Sequence, residues 1–552
     1  MMTDGHAAEI RGPRFAPDEF SSTGRPLTMG AFIVEVCRRH AQREALVFDD
    51  PLRDGATIRW TYADLDAQVR RVARALVAAG ITPGDRVAIL MANRPEAVAA
   101  FFGAAAAGAV VTPLSTFSTR PELAALLAAS EAKALLFQTA MGKRDFAVDI
   151  TSLDPAPRIL AAVSPAEPAT GVSGWEAFLA AGETVPESAV ETIIAATQPC
   201  DPGLIIFSSG TTSTPKGMLH RHQAPTVQFW LQAELFGRTE HTRMWTALPL
   251  FWTAGMNTAM GATLAAGGCW VMQEGFDAGV ALALMARERV TEPYTLPHQA
   301  TALAEHPNWL STDLSSLRCV FGKSVFARHP TVTGDPHWQM PVGWGMSETC
   351  AFISAHPCTR SREVMRSSLG RLLPGVELRV QAADGRVAAI GEDGEFLIKG
   401  PTLMEHYLGK TREQCVDADG WFHTGDVGHV DDRGDIHWEG RNNEMIKTGG
   451  ANVAPAEIEV ALRACPAVAL ARVIAMPDPR LEQIAVLCVE LREDTSDGPE
   501  EITAFLRERL ASYKVPKTVL TFSQGEIPLT PSGTKVVDDA LRTLVAARLS
   551  AN

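Results

Sequence analysis

The amino-acid sequence predicts an α/β protein in two unequal parts. The larger is an N-terminal domain built from parallel-sheet α/β subdomains plus a β-rich subdomain; the smaller is an α+β C-terminal domain. Three observations predict this. The chain has 552 residues, and single hydrophobic cores stop growing near ~250–300 residues, so two or more domains are required. Helix, turn and short buried strand recur through most of the chain, the signature of a parallel sheet with helices on its faces. From about residue 370 the texture changes to short strands and turns, and after Arg441 it alternates again for roughly one hundred residues.

The elements follow in order. Segment 61–80, "TYADLDAQVRRVARALVAAG", reads as a helix with both ends marked. Thr61 and Asp64 suit an N-terminal capping pair, and Gly80 suits the left-handed C-terminal position. Leu65, Val69, Val72, Leu76 and Val77 repeat at helical spacing and face a core. "TPGD" then turns the chain into the short strand "RVAIL". The same rhythm gives helix "PEAVAAFFGAAAAG" before strand "AVVTPL", and helix "RPELAALLAASEA" before strand "KALLF". "GVELRVQAADGRV", "GEFLIKG" and "GDIHWEG" form the β-rich part, about 370–440. "PAEIEVALRAC", "AVALARVIAMP", "QIAVLCVEL" and "EEITAFLRERLASY" make up the tail. The expected division is 1–440 and 441–552, with "GRNNEMIKTGG" at the join as linker or hinge.

Bulk composition removes several functions. Apolar residues are 46% and charged residues 21%, an ordinary globular balance, and the formal charge of -14 disfavours a nucleic-acid partner. Nine cysteines are scattered singly with no C-x-x-C pair, which suggests neither zinc nor a disulfide framework. The N-terminus lacks an apolar core, and the longest apolar run, Ala97 to Val111, is too short and Ala-rich to span a bilayer. A cytoplasmic protein with no membrane span is expected; the oligomeric state stays open, with a homodimer one candidate.

Residues 207–217, "FSSGTTSTPKG", follow the strand-like "GLIIF". Ser208, Ser209, Thr211, Thr212, Ser213 and Thr214 supply hydroxyls, Gly210 and Gly217 let backbone N–H groups approach a ligand, and Lys216 adds a positive charge. Such a loop suits a polyphosphate, whose oxygens need convergent donors. It is not a Walker loop, because Pro215 and Gly217 flank the lysine where that motif needs Gly and Ser or Thr. Taken alone, the segment has a less favoured alternative, a polar surface turn.

Further segments change the balance: "LPLFWTAGMN" (248–257), "VFGKSVF" (320–326), "GWGMSE" (343–348), "GWFHTGDVG" (420–428), "GR" (440–441), "KTGGANVAPAEIE" (447–459), "RLASYKVPK" (509–517) and "LTPSGTK" (529–535). With these motifs in this order, from Thr61 to Lys535, the chain resembles the adenylate-forming (AMP-binding) superfamily of acyl-CoA synthetases, aryl-CoA ligases, beetle luciferases and peptide-synthetase adenylation domains. The resemblance implies ATP, Mg²⁺ and coenzyme A as cofactors. Residues 208–214 and Lys216 would hold the phosphates. Gly322, Lys323 and Ser324 would lie by the adenine, with Gly343, Trp344, Gly345, Met346 and Ser347 completing the nucleotide site. Glu348 and Thr212 would hold Mg²⁺, an ion that prefers oxygen ligands. Asp426 would accept both ribose hydroxyls, and Arg441 would contact ribose or phosphate.

By the same resemblance Lys535 and Glu348 serve adenylation and Lys447 the second step, with Gly449 and Gly450 leaving room for the CoA arm and Asn443 at the hinge. Three positions depart from the usual pattern: Ser213 replaces Gly, Thr534 separates the lysine from its glycine, and Asn443 replaces Asp or Lys. Trp252 stands where amino-acid-activating domains carry Asp, so a buried ammonium would lack its counter-ion. A hydrophobic, non-amino-acid carboxylic acid is expected, with Trp252, Met256, Gly345 and Cys350 beside it. The implied reaction is adenylation followed by thioester formation with free CoA; the alternative is an enzyme that makes only the adenylate and hands it to another protein.

Overall fold

The structure is a computed structural model. It describes residues 7–551 except 119, 154–155, 165, 209–215, 321–323, 334–339, 442–445, 449–450, 454, 479–480, 493–494, 496–497, 511–513 and 531–534. Among the described residues, strands Ser173–Gly174, Ile159–Val163, Ala134–Gln138, Arg86–Leu90, Val110–Pro113 and Pro202–Ser208 lie side by side and parallel. Lys216–Arg221 then turns back antiparallel on Pro202–Ser208, and the short strand His406–Tyr407 closes that edge. A second sheet runs Glu292–Pro293, Arg243–Thr246, Cys269–Met272, Glu44–Asp50, all parallel, with Ala56–Thr61 antiparallel at its edge.

The helices between them form where the sequence places them. Tyr62–Ala78 starts with a reciprocal cap, Thr61 and Asp64 each bonding the other's backbone N–H, and Gly80 takes φ +89° beyond its end. Leu65, Val69, Val72 and Leu76 are buried, and Val77 is partly so. Helix Pro95–Ala106 is buried on every side, as its Ala-rich sequence permits. A Cβ on Gly103 would stand 2.6 Å from Cβ of Val72, so this helix pair packs closer than larger residues allow.

The β-rich part is an antiparallel sheet of Glu377–Gln381, Gly394–Lys399, Phe422–Val430 and Ile436–Arg441. Its outer strand, Glu9–Arg11, comes from the far N-terminus, a long-range pairing that local patterning does not reveal. The C-terminal part is a sheet of Ala451–Val453, Ile446–Thr448, Glu482–Leu491 and Val468–Asp478, extended by Thr518–Phe522. Strand alternation gives it two cores: Val473 and Leu487 face Ile458 and Leu462, while Ile474, Val486 and Cys488 face Leu541 and Val545. No helix among the described residues is long and apolar enough to cross a membrane.

Charge joins the two parallel sheets. Arg94 is wholly buried, its guanidinium 3.2 Å from Asp50, 2.9 Å from Glu96 and 3.6 Å from Glu274. Asp50 and Glu274 belong to the second sheet's strand ends, whereas Arg94 follows the first sheet's strand Arg86–Leu90. Gln138, also from the first sheet, donates to Glu274 at 3.0 Å and accepts from Ala92 N at 2.7 Å. Replacing Arg94 with Met removes the cation and leaves these carboxylates in the interior. The expected loss is about 3–5 kcal/mol in urea unfolding, and it should shrink toward acid pH as the orphaned carboxylates take up protons.

Candidate active site

The polyphosphate-like segment lies between two paired strands, Pro202–Ser208 and Lys216–Arg221. Phe207 pairs with Gly217 and Ser208 with Lys216 across the antiparallel strands, so the loop leads into a strand, not a helix. A Walker loop has a helix N-terminus at that place, which agrees with the residue-level exclusion of that motif. Lys216 is exposed on the returning strand, its Nζ 5.6 Å from the ring centroid of Tyr407. Ser209, Gly210, Thr211, Thr212, Ser213 and Thr214 lie outside the described residues, and only the backbone of Ser208 is described.

Beside this edge runs the segment of Gly343–Glu348. Val342–Gly345 pairs antiparallel with Phe352–His356, and the tight turn between them is the 3₁₀ segment Ser347–Thr349. Cys350 closes the turn with φ +63°, a left-handed conformation unusual outside glycine. Ala351 O folds back so closely that a Cβ on Gly345 would lie 1.9 Å from it. The glycine is therefore required by the turn itself, whatever ligand lies nearby.

Three side chains from this segment are fixed by distant partners. Trp344 is buried, packs on Phe396 at 5.0 Å between centroids, and donates its indole N–H to Asp426 Oδ2 at 2.8 Å. Asp426 in turn stands directly opposite Arg441 in the sheet register, although only the backbone of Arg441 is described. Glu348 is half-buried and accepts from the Tyr407 hydroxyl at 2.8 Å through Oε1. Its other oxygen has no hydrogen-bond partner among the described residues, which leaves a carboxylate oxygen for a hard divalent cation. The donor chemistry thus fits Mg²⁺ at Glu348, while Thr212, the other expected ligand, lies outside the described residues. Ser347 presents its carbonyl to His220 Nε2 at 3.0 Å. Ser324 carries a buried hydroxyl without a partner among the described residues; its neighbours Gly322 and Lys323 lie outside them.

The acyl motif adjoins the same turn. Residues Ala254–Gly261 form a π-helix, a rare geometry often found at functional sites. Asn257 on it donates to the carbonyl of Cys350, tying the motif to the turn that carries Glu348. Burial pushes the Cys350 thiol up to about 12, so it is a neutral packing group here. Met256 is buried in the main core, while Trp252 is half-buried and forms an edge-to-face trio with Phe117 and Phe251, centroids 5.4–6.0 Å apart. Asn93 clips the motif from below, accepting from Leu250 N and donating to Leu248 O at 2.9 Å each. Met346 is half-buried and bonds Ala351 O through its backbone N–H at 3.1 Å.

Lys535 is exposed, and its carbonyl accepts from Thr530 N at 2.7 Å. Asn443, Gly449 and Gly450 lie outside the described residues, and only the backbone of Lys447 is described, in strand Ile446–Thr448. The structure therefore brings Lys216, Trp344, Ser347, Glu348, Cys350, Met256 and Asp426 into one region through the contacts above. Residue-by-residue reading missed Tyr407, Asn257, His220 and Phe117. A histidine and an asparagine inside otherwise apolar runs, "GMLHR" and "AGMNTAM", were the available signals for two of them.

Comparison with known proteins identifies the family. The model of the AMP-binding enzyme family matches residues 33–408, and that of the AMP-binding enzyme C-terminal domain matches residues 457–534. The chain is 33% identical over 492 residues to an indoleacetate–CoA ligase of Aromatoleum aromaticum, covering 88% of this chain and 94% of that protein. It is 34% identical over 495 residues to a feruloyl-CoA synthase of an Amycolatopsis species, covering 87% and 93%. Among solved structures, ATP-bound MatB from Rhodopseudomonas palustris superposes with a TM-score of 0.74 at 25% identity, covering 94% of this chain and 98% of that one. The fold and the match together define a nucleotide-using enzyme. The chain belongs to the AMP-binding enzyme family.

Trp344→Phe should keep the ring against Phe396 but remove the indole donor to Asp426; ATP affinity measured by calorimetry is expected to fall about tenfold. Burial pushes His220 and His222 each down to about 4 from the ordinary 6.5. Both rings are neutral in the fold, so the stability they permit is whole above pH 6.5 and is lost as pH falls toward 4, because the unfolded chain binds the protons first. Urea midpoints should drop between pH 6.5 and pH 5, before most carboxylates titrate, and His220→Gln should flatten that drop. At the full shift each ring costs about 3 kcal/mol.

Proposed function

We propose that this enzyme activates a hydrophobic, non-amino-acid carboxylic acid with ATP and transfers the acyl group to coenzyme A. The observation that carries the reading is the meeting of Lys216, Tyr407 and Glu348 where the hydroxyl-rich segment rejoins the sheet, with Trp344, on the same segment as Glu348, bonded to Asp426. In the first step a carboxylate oxygen of the acid bonds to the α-phosphorus, and the bond from that phosphorus to the β-bridging oxygen breaks, releasing pyrophosphate. No base is required, since the acid is ionised at neutral pH. Lys216 and the hydroxyl-rich loop would hold the leaving phosphates, Asp426 and Arg441 the ribose, and Lys535 the oxygens around the reacting centre. Bound Mg²⁺, held at Glu348 and Thr212, would neutralise charge on the phosphates. In the second step a CoA thiolate attacks the acyl carbon and AMP leaves.

We further propose that residues 441–552 form the mobile domain, turning about Asn443 so that Lys535 leaves and the segment with Lys447, Gly449 and Gly450 enters. The substrate class we favour is an aryl acid: the two relatives act on indoleacetate and ferulate by their names, and Phe117, Phe251 and Trp252 provide aromatic faces next to the acyl motif. Trp252 offers no counter-ion for an ammonium, which argues against amino acids. Adenylation without CoA transfer has less support, since both relatives are CoA-dependent by name. A cytoplasmic site of action accords with nine free cysteines.

Pyrophosphate release across aryl, fatty and polycyclic acids, with and without CoA, tests the reading. CoA-dependent turnover with a thioester product is expected, fastest with aryl acids; release that ignores CoA while adenylate accumulates would overturn the second step. Lys535→Ala is expected to slow adenylation by about three orders of magnitude, as loss of a group acting on the transition state does, with little change in ATP binding.

A further inference from the structure

Tyr407 is absent from every role assigned so far, yet it touches both charged groups of the phosphate region. It belongs to the two-residue edge strand His406–Tyr407, pinned to the returning hairpin strand by the Met218–Tyr407 pairing and by Leu408 N donating to Gly217 O at 2.8 Å. Its hydroxyl donates to Glu348 Oε1 at 2.8 Å, and its ring lies 5.6 Å from Lys216 Nζ. Lys410 approaches the same ring at 5.7 Å. Glu348 and Lys216 carry opposite charges in the same region and, left to themselves, would favour a direct ion pair that occupies both. No such pair is present among the described residues.

We propose that Tyr407 is a positioning residue that holds Glu348 and Lys216 apart and aimed, the carboxylate toward Mg²⁺ and the ammonium toward the phosphates; this rests on the reading of the site as an ATP site. The phenol and the ring divide the task. A hydrogen bond to a carboxylate fixes its rotamer and occupies one oxygen, so that the remaining oxygen meets the cation in a set orientation. The π-face attracts the ammonium without neutralising it, which restrains a flexible side chain on an exposed strand. The anchoring is mechanical as well: Tyr407 sits on backbone hydrogen-bonded to the strand that begins at Lys216, so the spacing between the ring and the hairpin is set by the sheet.

Two variants separate the hydroxyl from the ring, read by calorimetric ATP binding at stepped Mg²⁺ concentrations with no acid present. In Tyr407→Phe the Mg²⁺ concentration giving half-maximal ATP affinity is expected to rise about tenfold, while affinity at saturating Mg²⁺ and the KM for the acid stay near wild type. Tyr407→Leu should show the same Mg²⁺ shift and, in addition, about threefold weaker ATP binding at saturating Mg²⁺ from the lost cation–π contact. A Tyr407→Phe protein with the wild-type Mg²⁺ midpoint would overturn the inference while leaving the ATP site intact. A wild-type protein that binds ATP no better with Mg²⁺ than without would overturn the reading of the site itself. A shift in melting temperature with an unchanged Mg²⁺ midpoint would make Tyr407 a packing residue only, again against the proposal.

Discussion

One buried guanidinium holds the large domain together. Arg94 lies in the short segment Ala92–Asn93–Arg94 that leaves the first sheet, and its three residues bond, in turn, Gln138, the acyl motif, and the carboxylates Asp50, Glu96 and Glu274. Burying a charge is costly unless it is paired and hydrogen-bonded. The requirement acts as a specification, because Asp50 and Glu274 from the second sheet must meet a cation that already bonds its near neighbour Glu96. Burial at this junction raises the proton affinity of Glu274.

A second buried polar chain transmits that placement to the site. Gln228 donates to Phe352 O at 2.7 Å, Gln232 donates to Gln228 at 3.0 Å, and Thr258 on the π-helix donates to Gln232 at 2.6 Å. Arg238 bonds Thr258 O and forms a buried pair with Glu292, 2.9 Å at Nε. With Asn257 on Cys350 O, this chain fixes the acyl motif against the strand that follows Glu348. The motif of residues 248–261 and the turn that carries Glu348 share one set of hydrogen bonds, so movement in either reaches the other through few intermediates.

Much of this was legible before folding. The capped helix Tyr62–Ala78, the alternation of strands and helices, and the β-rich change near residue 370 came from period and punctuation, which depend on neighbours a few residues apart. The site was legible differently, through a hydroxyl-rich loop that suits phosphate and through short motifs whose resemblance to a known family implies ribose and Mg²⁺ contacts. Asp426 and Trp344 could each be singled out, but not that one bonds the other. Tyr407 could not be found at all: one of four tyrosines, in a polar stretch with no periodicity, it gains meaning only from the strand that pairs it to the hairpin.

The sequence by itself determined the class of fold, the order of its elements and the chemical character of the site, because helix caps, apolar period and a hydroxyl-rich loop with one lysine are local properties of the chain. Tertiary structure alone decided which groups meet. The N-terminal strand Glu9–Arg11 joins Glu377–Gln381 across most of the chain, Arg94 gathers carboxylates from separate elements, and Tyr407 reaches Glu348 from 59 residues away. Such encounters are set by the burial of sheets and charges in three dimensions, where distance along the chain carries almost no information.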